Sequence, residues 1–127
     1  MDFDSLKRDI ILSRLDGWKL ETKENTQEDY LQLEENHIIS ETEIEKFWNI
    51  TIQEVKNYLI TNEIPNDDRI IYPICTWCAG LLYKKYTSNS TENMEDTTYI
   101  GTGRGNDLVN ESKKQLDSWK QSKIVIW

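Results

Sequence analysis

The residues best able to do chemistry in this chain are two cysteines, one histidine, a glycine-rich run and several paired acids. Cys75-x-x-Cys78 would supply half of a zinc site, because a structural zinc takes four ligands. His37 is the only histidine, and there is no second cysteine pair. A redox pair belongs at a helix N-terminus, where the dipole lowers the thiol pKa. Here the apolar pattern puts both thiols inside a helix. The pair therefore reads as two small buried apolar side chains, with a metal shared between subunits as the alternative. Gly101-Thr102-Gly103-Arg104-Gly105 resembles a phosphate cradle, but it lacks the G-x-G-x-x-G spacing and the Lys-Ser/Thr pair. It reads as a flexible loop with Arg104 at its tip, placed to touch a partner or nucleic acid. His37 sits among Glu34, Glu35 and Glu41 with no positioned nucleophile or orienting group. Glu34-Glu35 and Asp67-Asp68 read as a solvated face and a helix cap, not as a metal or glycosidase site. No enzyme, cofactor or metal is expected.

The elements that hold these residues are mostly helical. Apolar residues at 3, 6, 10, 11, 12 and 15 predict an amphipathic helix capped by Asp4 or Ser5 and stopped at Asp16-Gly17. Residues 18–36 are polar, acidic and weakly periodic. They read as an extended arm or long loop with one helical turn at Asp29–Leu33. Ser40-Glu41-Thr42-Glu43 and Thr51-Ile52-Gln53-Glu54 both have capping-box spacing. Two successive helices are expected, with a break in the β-branched stretch Asn49–Ile52 and the second ending near Thr61-Asn62. One long helix over 42–61 is the alternative. Asn66 or Asp67 caps the next helix, Asp68 to Tyr86. Its apolar residues cover more than half the circumference, so it should be central and nearly surrounded. Pro73 implies a late start or a mild kink. Residues 87–96 read as a polar loop, Thr97–Ile100 as a short strand and 101–105 as flexible chain. Asn106 then caps a helix to about Lys120, and Ile124-Val125-Ile126-Trp127 follows as an apolar, strand-like tail. The expected fold is mainly α: a small bundle of about four helices with an N-terminal arm, a long polar loop and a C-terminal tail.

Length and charge set the frame. The 127 residues make one domain, divided as 1–40, 41–86, 87–105 and 106–127. Surface scaling gives about 7,000 Å² exposed against about 22,000 Å² for the open chain, enough for one core. The net charge of −8 is uneven. Residues 1–68 carry 17 acids and 7 bases, a net of −10, and residues 69–127 carry 6 acids and 8 bases, a net of +2. An acidic front half argues against phosphate binding there and suits contact with something basic, another copy's second half included. No apolar run is long enough to span a bilayer, and residues 1–20 lack the pattern of a signal peptide. Two cysteines without secretory features are most simply reduced thiols.

The tail differs from the other features. Four consecutive apolar residues are a liability unless covered. They dock either on the chain's own core or, by strand addition or pocket insertion, on a neighbour.

From Thr51 onward the order of elements resembles the head–tail connector (adaptor) proteins of long-tailed phages and related viruses. The resemblance is carried by the capped run Thr51-Ile-Gln-Glu-Val-Lys-Asn-Tyr-Leu59 and the acidic turn Asn66-Asp67-Asp68. Ile70-Ile71, Ile74, Ala79, Leu82 and Tyr86 follow, then a polar loop, a further helix and a tail. It covers about 75 residues, and its motifs are common helix patterns. The first 50 residues depart from the short members of that family. The resemblance implies a non-catalytic virion protein assembled in the host cytoplasm. By that resemblance it would form a homo-oligomeric ring of about twelve copies below the portal protein. The ring would extend the DNA channel without sequence-specific binding and meet a stopper or tail-completion protein. Trp119 and Ile124, Val125, Ile126 and Trp127 would then bind the portal or a neighbouring subunit, with Arg104 as a loop contact. No membrane is involved. The competing readings are a small acidic inhibitor or DNA mimic that binds a basic partner, and a metal or redox module built on Cys75 and Cys78.

Overall fold

The computed structural model describes residues 1–22, 37–88 and 95–124. The described residues form α1 (Ser5–Ser13), β1 (Trp18–Leu20), β2 (His37–Ile39), α2 (Glu41–Leu59), a 3₁₀ turn (Asp68–Ile70), α3 (Ile71–Ser88) and α4 (Glu95–Ile124). The fold is a small, mainly helical bundle, as the apolar periodicities predict.

Helix α1 starts where its cap chemistry says. The Asp4 carboxylate accepts the Lys7 backbone N–H at 3.0 Å and pairs with the Lys7 ammonium at 2.8 Å. Gly17, at φ 78°, turns the chain after the helix. The chain then enters β1, which pairs in parallel with β2, Trp18 opposite His37 and Leu20 opposite Ile39. This corrects the expected arm at its start, since Trp18–Leu20 is strand. Parallel neighbours need a crossover of about a dozen residues or more, so local sequence could not announce the pairing. The helical turn expected at Asp29–Leu33 lies outside the described residues.

Helix α2 runs unbroken from Glu41 to Leu59, so the expected break near Asn49–Ile52 is wrong and the single-helix alternative is right. Ser40 does cap it, its hydroxyl accepting the Glu43 N–H at 3.1 Å. Thr51 is no cap. It is wholly buried mid-helix, and its hydroxyl donates to the Phe47 carbonyl at 2.7 Å. Ile52 and Val55 go into the core, and that packing outweighs the modest helix penalty of branched side chains. The helix ends at Leu59, not Thr61-Asn62, on Ile60 in the left-handed region.

Asp67 caps the turn that leads into α3, accepting the Arg69 N–H at 2.9 Å. Pro73 lies in the first turn of α3, where its missing donor costs little. Every residue from 73 to 80 is buried. Helix α3 is central, with α1, α2 and α4 all packed on it.

The largest correction concerns α4. Residues 95–124 form one helix, so the expected strand Thr97–Ile100, the flexible run 101–105 and a helix start at Asn106 are all replaced. Of the loop expected over 87–105, residues 89–94 lie outside the described set, and the rest is helix. Three glycines in nine positions, each unfavourable in a helix, read locally as loop. The compensation is tertiary. A Cβ on Gly105 would lie 2.6 Å from the Gly80 carbonyl oxygen, and one on Gly80 would lie 2.7 Å from the Gly105 carbonyl oxygen. The two glycines are the crossing point at which α3 and α4 touch backbone to backbone. Beyond it Leu108, Val109, Ser112 and Leu116 are buried at helical spacing. The tail starts late: Ile124 is the last residue of α4, and Val125, Ile126 and Trp127 lie outside the described residues.

Candidate interaction site

The residues with chemical potential are mostly spent inside the fold. Cys75 and Cys78 are free and fully buried. Burial pushes the Cys75 thiol up to about 12 and raises Cys78 further. Thiols in that state are neither nucleophiles nor ready metal ligands. Among the described residues no three His, Cys, Asp or Glu side chains gather to hold a metal. The backbone of His37 belongs to β2.

Arg104 sits on α4, not on a loop tip. Its guanidinium bonds the Asp16 carboxylate and lies over the Tyr83 ring, 5.2 Å from the centroid. The Asp16 backbone N–H donates to the Tyr83 hydroxyl at 2.7 Å. Trp18 packs edge-on against Tyr83 and Tyr86 at 5.4 and 5.5 Å. This cluster locks the end of α1 and the start of β1 onto α3 and α4.

Other charged side chains of the front half are also paired within the chain. Glu43 meets Lys85 at 2.6 Å, Glu41 meets Arg8 at 2.9 Å, and Arg14 meets Glu111 at 2.6 Å. The Lys85 ammonium holds the Glu43 carboxyl below its ordinary value, and burial pushes Tyr86 up to about 12.

The second half of α4 joins this buried interior to the tail. Tyr58 donates to Asp117 at 2.8 Å, and the Lys113 ammonium lies 5.5 Å from both the Tyr58 and the Trp77 ring centres. Trp119, expected to face a partner, is half-buried and donates its indole N–H to Asp67 at 2.7 Å. Asp67 also binds the Arg69 guanidinium at 2.8 Å. These side-chain bonds, Arg69 first and Trp119 second, hold its carboxyl well below the usual range. So the residue that caps the turn before α3 also fixes the far end of α4. Lys120, Gln121 and Ser122 beyond it are exposed.

A groove lies between α2, the N-terminus and the segment after α2. It has a volume of about 550 Å³, with Ile52 and Ile64 on its floor and Gln53, Lys56, Glu63 and Met1 around it. Ile60 follows Lys56 by one helical turn. It is 87% exposed and left-handed, with φ 55° and ψ 57°. The Thr61 N–H reaches back to the Lys56 carbonyl at 3.0 Å, a helix-ending motif that usually places glycine where Ile60 stands. Sequence reasoning missed this groove.

Among the described residues no helix is long and apolar enough to cross a membrane. No family model matches this chain, and no curated protein or solved structure matches it either.

Proposed function

We propose that this chain is a structural subunit, a head–tail adaptor that forms a ring below a viral portal and carries no catalytic site. The observation that carries the reading is the course of α4. The helix runs through Trp119, which packs on the core, and exposed Lys120, Gln121 and Ser122 to Ile124, where the apolar sequence Ile124–Trp127 begins. Four consecutive apolar residues need cover, and another subunit's surface supplies it in this reading. The burial of Cys75 and Cys78 and the pairing of Arg104 and several acids within the chain also favour a scaffold over a catalyst. In this reading the portal or a neighbouring subunit receives the tail, a stopper or tail-completion protein stacks on the ring, and DNA passes through. The virion's head–tail junction is the site of action.

The competing reading, an acidic inhibitor or DNA mimic, rests on the net −10 of residues 1–68. It needs carboxylates free to imitate phosphates. Asp4, Asp16, Glu41, Glu43 and Asp67 instead each bind a lysine or arginine of the same chain. Electron microscopy of the purified chain, alone and with a portal, tests the proposal. Rings or portal caps are the expected result. A monomer that ignores the portal and displaces DNA from a basic protein would establish the mimic instead.

A further inference from the structure

We propose that the seam between the end of α1, α3 and α4 is a binding site for one internal water molecule, held by Arg14, Thr76 and Gln115.

Three side-chain atoms carry the inference. Arg14 Nε, Thr76 Oγ1 and Gln115 Oε1 are buried and have no hydrogen-bond partner among the described residues. Each loses its hydration when the chain folds, and native folds seldom leave such a loss without a replacement. Thr76 is the sharpest case, wholly buried in the middle of α3. Thr51 and Ser112 are as deeply buried in α2 and α4. Their hydroxyls donate to the carbonyl four residues earlier, Phe47 at 2.7 Å and Leu108 at 2.9 Å. Thr76 makes no such bond.

The three atoms belong to one level of the bundle. Helices α3 and α4 run antiparallel: a Cβ on Gly80 would lie 2.9 Å from Val109, and the Trp77 ring centre is 5.5 Å from the Lys113 ammonium. That register puts Thr76 level with Lys113 and Lys114, beside Gln115. Arg14 ties the end of α1 to the same level. Its guanidinium pairs with Glu111 at 2.6 Å, one helical turn before Gln115. It also lies 5.5 Å from the ring centre of Tyr72, one helical turn before Thr76. One side chain thus touches a same-face neighbour of each of the other two unpaired groups.

The chemistry of the atoms selects the occupant. The Arg14 Nε–H can only donate, the Gln115 carbonyl oxygen can only accept, and the Thr76 hydroxyl does both. Water accepts from the first, donates to the second and serves the third, and two to four polar partners are what an internal water needs. An anion would be repelled by the Glu111 carboxylate, and a metal ion by the Arg14 guanidinium.

A high-resolution crystal structure of the full chain tests this directly. The expected result is an ordered water within about 3.2 Å of Thr76 Oγ1 and of at least one of Arg14 Nε and Gln115 Oε1. A protein group in its place, or a water that bonds only one of the three, would overturn the proposal. Thermal melts test it in solution. Thr76→Val keeps the shape and removes the hydroxyl. If that hydroxyl binds water, the melting temperature should fall by about 3–5 °C, whereas removing a hydroxyl with no partner would raise it. Combined with Gln115→Met, the loss should be smaller than the sum of the two single losses, because the shared water is forfeited only once. A rise with Thr76→Val, or strictly additive losses, would overturn the shared site.

Discussion

Glycines 80, 103 and 105 show how one residue type serves different ends in a single helix pair. Gly80 and Gly105 have no room for a Cβ, whereas one on Gly103 would meet nothing within 4 Å. Gly105→Ala or Gly80→Ala should therefore cost about 2–3 kcal/mol, because the obstruction is backbone and cannot swing aside. Gly103→Ala should instead stabilise by up to about 1 kcal/mol, the helix-propensity gain alone. Thermal melts of the three variants check the contrast. Ile60→Gly should stabilise by about 1 kcal/mol through relief of left-handed strain. The thiols give another residue-level test. With Cys75 raised to about 12 and Cys78 higher still, a thiol reagent at pH 8 should label neither in the folded protein and both on denaturation. Rapid labelling of the native protein would contradict the burial described here.

Among the elements, α3 and the N-caps were legible in the sequence, whereas α4 and the strand pair were not. Asp4, Ser40 and Asp67 cap by side-chain chemistry confined to three or four residues, so local spacing revealed them. The even spread of apolar residues over 70–82 announced a helix surrounded on all sides, and the cysteine pair's burial came with it. Gly101–Gly105 misled because its compensation is a contact with Gly80, 25 residues earlier. Thr51 misled because a threonine three residues before a glutamate looks the same whether it caps a helix or bonds back to its own fourth preceding carbonyl. The groove was invisible because its sides come from the N-terminus, α2 and the turn after it. Ser40→Ala should cost about 1 kcal/mol by removing the α2 cap. Acid should loosen the contacts between elements. Asp4, Glu43 and Asp67 all have lowered carboxyl pKa values, mainly from Lys7, Lys85 and Arg69. A lowered folded-state value means that stability is full above the ordinary values of 3.8 and 4.5 and is lost as pH falls through the folded ones. A pH series of melts should stay flat down to about pH 5 and fall below about pH 4.5. Stability that rises on acidification would contradict these pairings.

For the whole molecule, the charge division takes on a structural meaning. Part of the acidic excess of residues 1–68 is tied to bases of α3 and α4, as in Glu43–Lys85 and Asp16–Arg104, and Arg14 of the same half pairs with Glu111 of α4, so these charges stitch the bundle together. The groove beside α2 carries both signs of charge, Asp2 and Glu63 beside Lys56. The central claim is that Ile124–Trp127 exists for contact with another subunit and not for the fold. Its most direct test is native mass spectrometry and negative-stain microscopy of the full chain beside a chain that ends at Lys123. The account predicts that the shortened chain keeps its helical content and melting temperature and loses both rings and portal docking. A shortened chain that still assembles, or one that unfolds because the segment belongs to its own core, would contradict it.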